Sequence, residues 1–273
     1  MARETFQVHL VAGDAKILAA RGHDARDYPW ETLDPTRYPL ELVRRARRSW
    51  TENAFNEHST LVAMGAMLKA LGEAQAPIDL LRMASRFPEE EVLHIELCAR
   101  VAERLGGLSE RIFDPESIVP PLDPSLTSRQ RAAELVVRVC AVGEAFSLPM
   151  LAGAWKSATH PLTRAVLATI VEDEALHGRF GHLFLAWIEP DLRPAERDRL
   201  GRIATETLAT YAPLWQRLTS HVVGGVTREG FLLEHVHELG WMESTAYRAL
   251  ALDTIERAVR APLARFGIDV ELP

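Results

Sequence analysis

Cysteine is almost absent from this 273-residue chain. Cys98 and Cys140 are the only two, far apart and in no CxxC arrangement, which excludes a disulfide framework and a zinc knuckle. A chain this poor in cysteine is expected in the cytoplasm. No apolar run is long and uninterrupted enough to read as a membrane span, so no membrane partner is expected. The N-terminus (Met1-Ala2-Arg3-Glu4-Thr5) lacks the apolar core of a signal peptide. The net charge of -7 supplies no basic surface, so a nucleic-acid partner is not expected either. Strong strand signals and tandem repeats are missing, and the fold expected is all-α.

The composition that remains, 47% apolar and 25% charged, is enough to bury a large core. The apolar residues fall into stripes at helical spacing. Residues 1–39 read as an irregular arm with short apolar stretches (Val8 to Val11, then Ile17 to Ala20) and turns at Pro29, Pro35 and Pro39. Trp30 and Tyr38 are expected to cap the domain, with the arm packed on the core surface or forming a pocket wall.

Residues 40–190 carry four helical stripes. The first, in a helix over about Leu40 to Leu71, is Trp50, Ala54, Glu57, Leu61, Met64, Leu68, Leu71. The second, ending near Leu105, is Leu80, Ala84, Phe87, Glu91, His94, Cys98, Val101, Leu105. Pro88 inside it predicts a kink. A proline-rich connection to Thr127 is long enough to travel the length of a helical bundle, which would make the second and third helices parallel. The third helix starts near Ser128 with the stripe Ala133, Val137, Cys140, Glu144, Ser147, Leu151. Pro149 predicts another kink there, and Glu134, sharing a face with Arg138, should be solvated. The fourth, from about Leu162 to Ile188, carries Leu167, Ile170, Glu174, His177, Gly181, Phe184, Ile188. Residues 191–273 read as a helical extension of the same domain, helical over 195–222 and 241–266 with a shorter segment from Phe231 to Leu239 between, and punctuated by Gly224-Gly225 and Gly240.

Six residues in these stripes are polar: Glu57; Glu91 and His94; Glu144; Glu174 and His177. The second and fourth helices each contribute a Glu-x-x-His, whose spacing places both side chains on one helix face. One buried Glu or His can be a hydrogen-bonded core residue. Six in phase on four helices demand more, because four ionised carboxylates at one level would repel one another and lose their hydration. Two divalent cations cancel four negative charges and leave both histidines neutral. Carboxylate and imidazole donors fit iron or manganese, and fit zinc less well at a paired site.

On these motifs the chain resembles the ferritin-like di-metal (di-iron) carboxylate proteins, over roughly residues 45–190. The resemblance implies a four-helix bundle with one long crossover and two iron ions (or an Fe/Mn pair) as cofactors. It implies that Glu91 and Glu174 bridge the metals while Glu57 and Glu144 are terminal ligands. The family often has an acid just before each Glu-x-x-His glutamate. Glu90 and Asp173 hold those positions, either to orient a metal-bound histidine or as solvated acids on a helix flank.

Absences narrow the class. Without CxxC pairs no rubredoxin-like module is attached. Val92 stands where a haem-binding relative would have methionine, so no haem is expected. All four tyrosines (Tyr28, Tyr38, Tyr211, Tyr247) lie outside the four main helices, which argues against a tyrosyl radical. Beyond the fourth helix the chain is long for a cage-forming storage subunit. The resemblance therefore implies an O2-activating oxidase or oxygenase acting on a small organic substrate by hydroxylation, N-oxygenation or desaturation. An external electron donor and a homodimer are compatible with it. The alternatives are ferroxidase or iron-storage chemistry and a metal-free helical scaffold. His58, one position off its stripe, is expected to be exposed or to support a ligand from outside. His182, about 140° around the helix from His177, is a poor ligand. His235 and His237 can share a metal only on an extended segment and are read as surface residues. Cys98 and Cys140 are expected in the core on opposite sides of the ligand level.

Overall fold

The longest element is helix α1 (Leu40–Glu73), which at 1.5 Å per residue runs about 50 Å. It belongs to a computed structural model that describes residues 3–8, 25–216 and 222–272 and is mostly helical. The stretches Val8 to Val11 and Ile17 to Ala20 lie, apart from Val8, outside the described residues.

After the turn at Ala74–Pro77 come α2 (Ile78–Ala84) and α3 (Phe87–Arg104). The expected kink at Pro88 is instead a full interruption at Ser85-Arg86, with Pro88 in the first turn of α3. The physical reason is that a first-turn residue needs no intrahelical N–H partner, so restarting the helix removes the cost of an interior proline. The stripe survives the break: every member from Leu80 to Leu105 is buried. Helix α4 (Ser128–Ser157) begins at a Thr127–Gln130 capping box and is π-helical over Val137–Glu144. Helix α5 (Pro161–Ile188) starts at His160, whose Nδ1 accepts from the Leu162 amide.

Contacts between ends give the directions. Arg47 of α1 donates to the Gly106 carbonyl, and the Ser109 amide donates to Thr51, so α1 and α3 are antiparallel. Arg131 pairs with Glu73 at 3.8 Å, so α4 runs opposite to α1. Arg129 pairs with Asp191, while Arg164 donates to the Trp155 carbonyl, so α5 runs opposite to α4. Helices α3 and α4 are therefore parallel, and residues 105–127 carry the chain from one end of the helices to the other. Beyond α5 come α6 (Pro194–Tyr211), α7 (Pro213–Gln216), α8 (Leu233–Glu238) and α9 (Ser244–Thr254), the last continuing through a π-helical stretch, Ile255–Arg260, into α10 (Ala261–Ala264).

Other expectations need correction. Two short antiparallel strand pairs exist: Glu4–Thr5 with Ile112–Phe113, and Val222–Val223 with Val226–Thr227. The second is a hairpin whose Gly224-Gly225 turn has φ of 59° and 78°, so two glycines between valine-rich runs were a legible hairpin signal. Glu134 is not solvated. It is buried because Arg138 of its own helix and Arg199 of α6 neutralise it, at 3.0 and 2.7 Å. Among the described residues one helix, α4, is apolar and long enough by composition to cross a membrane, and 56% of its apolar window is buried inside the fold. The arm does pack on the core: Leu33 and Tyr38 are buried, and Tyr28 Oη meets Thr169 Oγ1 at 2.6 Å.

The core forms two apolar clusters. One holds Met64, Met67, Phe87, Cys140, Phe180 and Phe184; the other holds Trp50, Ala54, Cys98, Leu162, Val166 and Ile170. On α1, α3 and α5 the chain passes from one cluster to the other across Glu57, across Glu91 and His94, and across Glu174 and His177. The polar residues occupy the layer between, and the two cysteines fall on either side of it.

Candidate metal centre

All six stripe residues meet in that layer. Ligand atoms of Glu57, Glu91, His94 and Glu174 lie within 4.8 Å of one another, and so do those of Glu91, Glu144, Glu174 and His177. Glu91 and Glu174 belong to both groups. Each group also takes one histidine and one further glutamate, so the cluster is two half-sites sharing two carboxylates. Its geometry can hold metal.

The imidazoles are oriented for it. His177 Nδ1 faces inward, 3.0 Å from Glu174 and 3.3 Å from Glu91. His94 Nδ1 likewise lies 3.4 Å from Glu174 and 3.7 Å from Glu91. The Nε2 atoms face outward, where Glu90 meets His177 at 2.8 Å and Asp173 meets His94 at 3.1 Å. Each acid thus serves the histidine of the other motif. A proton kept on Nε2 by these carboxylates leaves the Nδ1 lone pair free for a metal. Phe87 packs on the His177 ring at 4.3 Å, and Arg86 holds Glu90 from the surface at 3.1 Å. On the other side the Tyr28–Thr169 hydrogen bond fastens the arm to α5 one turn before Asp173.

Within the cluster three buried atoms make no hydrogen bond of acceptable geometry: Glu91 Oε1, Glu91 Oε2 and His94 Nδ1. Buried polar atoms rarely go unsatisfied, and a bidentate carboxylate with both oxygens unsatisfied beside an imidazole nitrogen fits a cation. The protonation balance agrees. Burial, then the charges of Glu91 and Glu174, push Glu57 well above the usual carboxylate range; burial with Glu174 and Glu91 does the same to Glu144. Burial also opposes ionisation of Glu174, but the His177 hydrogen bond and the adjacent His94 imidazole outweigh it and hold Glu174 low. Burial likewise opposes the charged histidines. Asp173, Glu174 and Glu91 outweigh it at His94, and Glu174, Glu90 and Glu91 at His177, so both stay above the usual range. Protons here occupy the places that cations would take.

Three neighbours were given no role from the sequence, although Ser147 lies in the third stripe. Ser147 Oγ donates to Glu144 Oε2 at 3.2 Å. Arg86 reaches Glu90 from outside the stripe. Tyr211, at the end of α6, comes beside Gly143 and stacks on Phe146 with ring centroids 5.3 Å apart. Burial and the nearby Glu144 push its phenol up to about 12. The weaker histidine candidates stay outside the cluster. His58 packs among Phe6, Phe55 and Phe113, and His182 is half-buried on α5. His235 and His237 lie on the short helix α8, with His235 against Tyr38. Both cysteines are buried and free, and burial, then nearby carboxylates, raises both thiols, so neither acts as a thiolate.

A scan of protein-family models and a comparison with curated proteins each give no match to this chain.

Proposed function

We propose that the chain is a ferritin-like di-metal carboxylate oxidoreductase that uses O2 to oxidise a small organic substrate, with reducing equivalents from an external donor. The observation that carries the reading is the sharing of Glu91 and Glu174 between two otherwise separate ligand groups, each completed by its own histidine and glutamate. That is the arrangement of a two-metal carboxylate centre. The parallel course of α3 and α4, joined by one long crossover, supports the bundle topology.

In this reading Glu91 and Glu174 would serve both metal positions. Glu57 and His94 complete one position, and Glu144 and His177 complete the other. A carboxylate-rich set with one imidazole per metal favours iron or manganese, and such a pair, when bound and reduced by the donor, would supply the redox chemistry toward O2 and substrate. The chain's own residues do the rest. Glu90 and Asp173 hold the Nε2 protons and fix the ring planes. Ser147 donates to one oxygen of Glu144. The apolar clusters above and below the layer exclude water, which strengthens every charge interaction within it.

The test is expression with added iron and manganese, elemental analysis, and optical spectra of the purified protein, with O2 uptake measured after addition of a reductant. About two metals per chain are expected, on the ligand count of such centres. Absence of bound metal sinks the reading in favour of a helical scaffold. A large cage by light scattering, loaded with many irons per chain, replaces it with iron storage.

A further inference from the structure

Four helices carry the ligands, yet a fifth, α6, is packed against the most unusual stretch of one of them. Helix α4 is π-helical over Val137–Glu144, and Glu144 is the last residue of that stretch. A π turn makes i→i+5 hydrogen bonds, is rare, and concentrates at functional sites. Beyond it Ser147 still donates to Glu144 and Leu151 packs on the second apolar cluster, while Phe146 on another flank of the helix stacks on Tyr211 of α6.

Contacts grip the π segment at both ends and in its middle. At the start, Glu134 is held between Arg138 of α4 and Arg199 of α6, and Arg138 also reaches Thr207 of α6 at 3.4 Å. At the end, Tyr211 of α6 stacks on Phe146 and brings its hydroxyl over Gly143. A Cβ at 143 would stand 3.3 Å from that hydroxyl and 3.1 Å from the Arg138 carbonyl, five residues back along the same turn. In the middle, Gly181 of α5 sits so close that a Cβ there would lie 2.8 Å from the Ala141 Cα. Helix α6 therefore touches the π-helical stretch itself, at Arg138 and Gly143, and the residues that flank it, Glu134 and Phe146.

We propose that α6 is a clamp on this π turn, and that Arg199 and Tyr211 are positioning residues for Glu144. Through Glu144 they set the metal position that His177 shares. The proposal rests on the di-metal reading. The physical case is one of phase. If the turn relaxed by one residue toward α-helical geometry, Glu144 would rotate by about 100° around the axis. It would leave the layer, while Glu57, Glu91, His94 and Glu174, on other helices, would keep their places. The two metal positions therefore depend differently on α6.

The experiment is a cobalt(II) titration of the full chain, following bound metal and the ligand-field spectrum, with amide hydrogen exchange over residues 138–145 in parallel. The variants are Arg199→Gln and Tyr211→Leu, with Arg199→Lys and Tyr211→Phe as conservative partners. Either disruptive variant should weaken one cobalt position by about ten-fold or more, the scale of lost outer support at metal sites, and leave the other near wild type. Exchange should rise selectively over 138–145. The conservative partners should restore much of both effects, since a charge at 199 and a ring at 211 remain. Equal loss at both positions, or two unchanged positions with unchanged exchange, overturns the clamp. Should Arg199→Gln fail to fold, Tyr211→Leu at the opposite end of the turn decides. If the wild-type protein takes up no cobalt, the di-metal reading has failed. The clamp is then judged on exchange alone, supported by a selective rise and overturned by none.

Discussion

His177 Nε2 on α5 lies 2.8 Å from Glu90 on α3, so the acid beside one Glu-x-x-His motif holds the histidine of the other. Asp173 and His94 repeat the relationship in reverse at 3.1 Å. The two motifs are thereby fastened to each other, and both imidazoles present Nδ1 to the shared carboxylates.

Removing that support should weaken metal binding without removing a ligand. Glu90→Gln or Asp173→Asn is expected to lower metal affinity by about 10- to 100-fold. A competition titration against a chelator of known affinity measures it. Unchanged affinity would return both acids to the role of solvated helix flanks.

Shared and unshared carboxylates should behave differently. Glu91→Ala or Glu174→Ala disrupts both ligand groups and is expected to abolish binding of both metals. Glu57→Ala or Glu144→Ala disrupts one group and should leave the other metal in place. Metal content per chain after dialysis separates the cases, and the same loss in all four variants would contradict the half-site arrangement.

Stability should depend on pH in opposite ways with and without metal. Glu57 and Glu144 have folded-state pKa values raised above the unfolded value of 4.5. As pH rises past that value the unfolded chain loses these protons first, so the metal-free protein loses stability until both groups have titrated in the fold. His94 and His177, also raised, add to the loss as pH climbs above their usual value of 6.5. Glu174, held low, acts only in acid, where its contribution disappears as pH falls through its depressed pKa. Divalent metal displaces the protons of the raised groups, so uptake should release protons and the gain in Tm on loading should widen with pH. Thermal melts across neutral pH and an indicator dye in weak buffer test both points. A constant gap with no proton release would mean that metal goes elsewhere.

Gly181→Ala should destabilise the fold. The new methyl group would stand 2.8 Å from the Ala141 Cα and must push α4 away from α5. Overpacking of this kind costs about 1–3 kcal/mol, readable as a lower urea midpoint at constant m-value. A midpoint equal to wild type would show that the two helices part easily.

The stripes of α1, α3 and α5 were legible because their helices keep α-period through the ligand level, so spacing alone selects Glu57, Glu91, His94, Glu174 and His177. The stripe of α3 even survived the break before Phe87. Glu144 was legible on the same spacing, although the π segment ends on it: Ser147 beyond it still donates to Glu144, and Leu151 packs on the second apolar cluster. Spacing along one helix cannot register a turn whose shape depends on neighbours in other helices, here Gly181, Arg199 and Tyr211. Glu134 failed similarly, since its burial depends on Arg199, far away in sequence.

By itself the sequence determined which six residues point inward, because helical periodicity is a local property. It also determined that α3 and α4 are joined by a long crossover, because prolines keep residues 105–127 out of a continuous helix. The resemblance already implied Glu91 and Glu174 as the shared pair; only the tertiary structure brought both within reach of the two ligand groups, crossed Glu90 and Asp173 to the opposite histidines, and set α6 against the turn carrying Glu144. Each of those is a distance between helices, set by how their faces pack, and no spacing within one helix contains it.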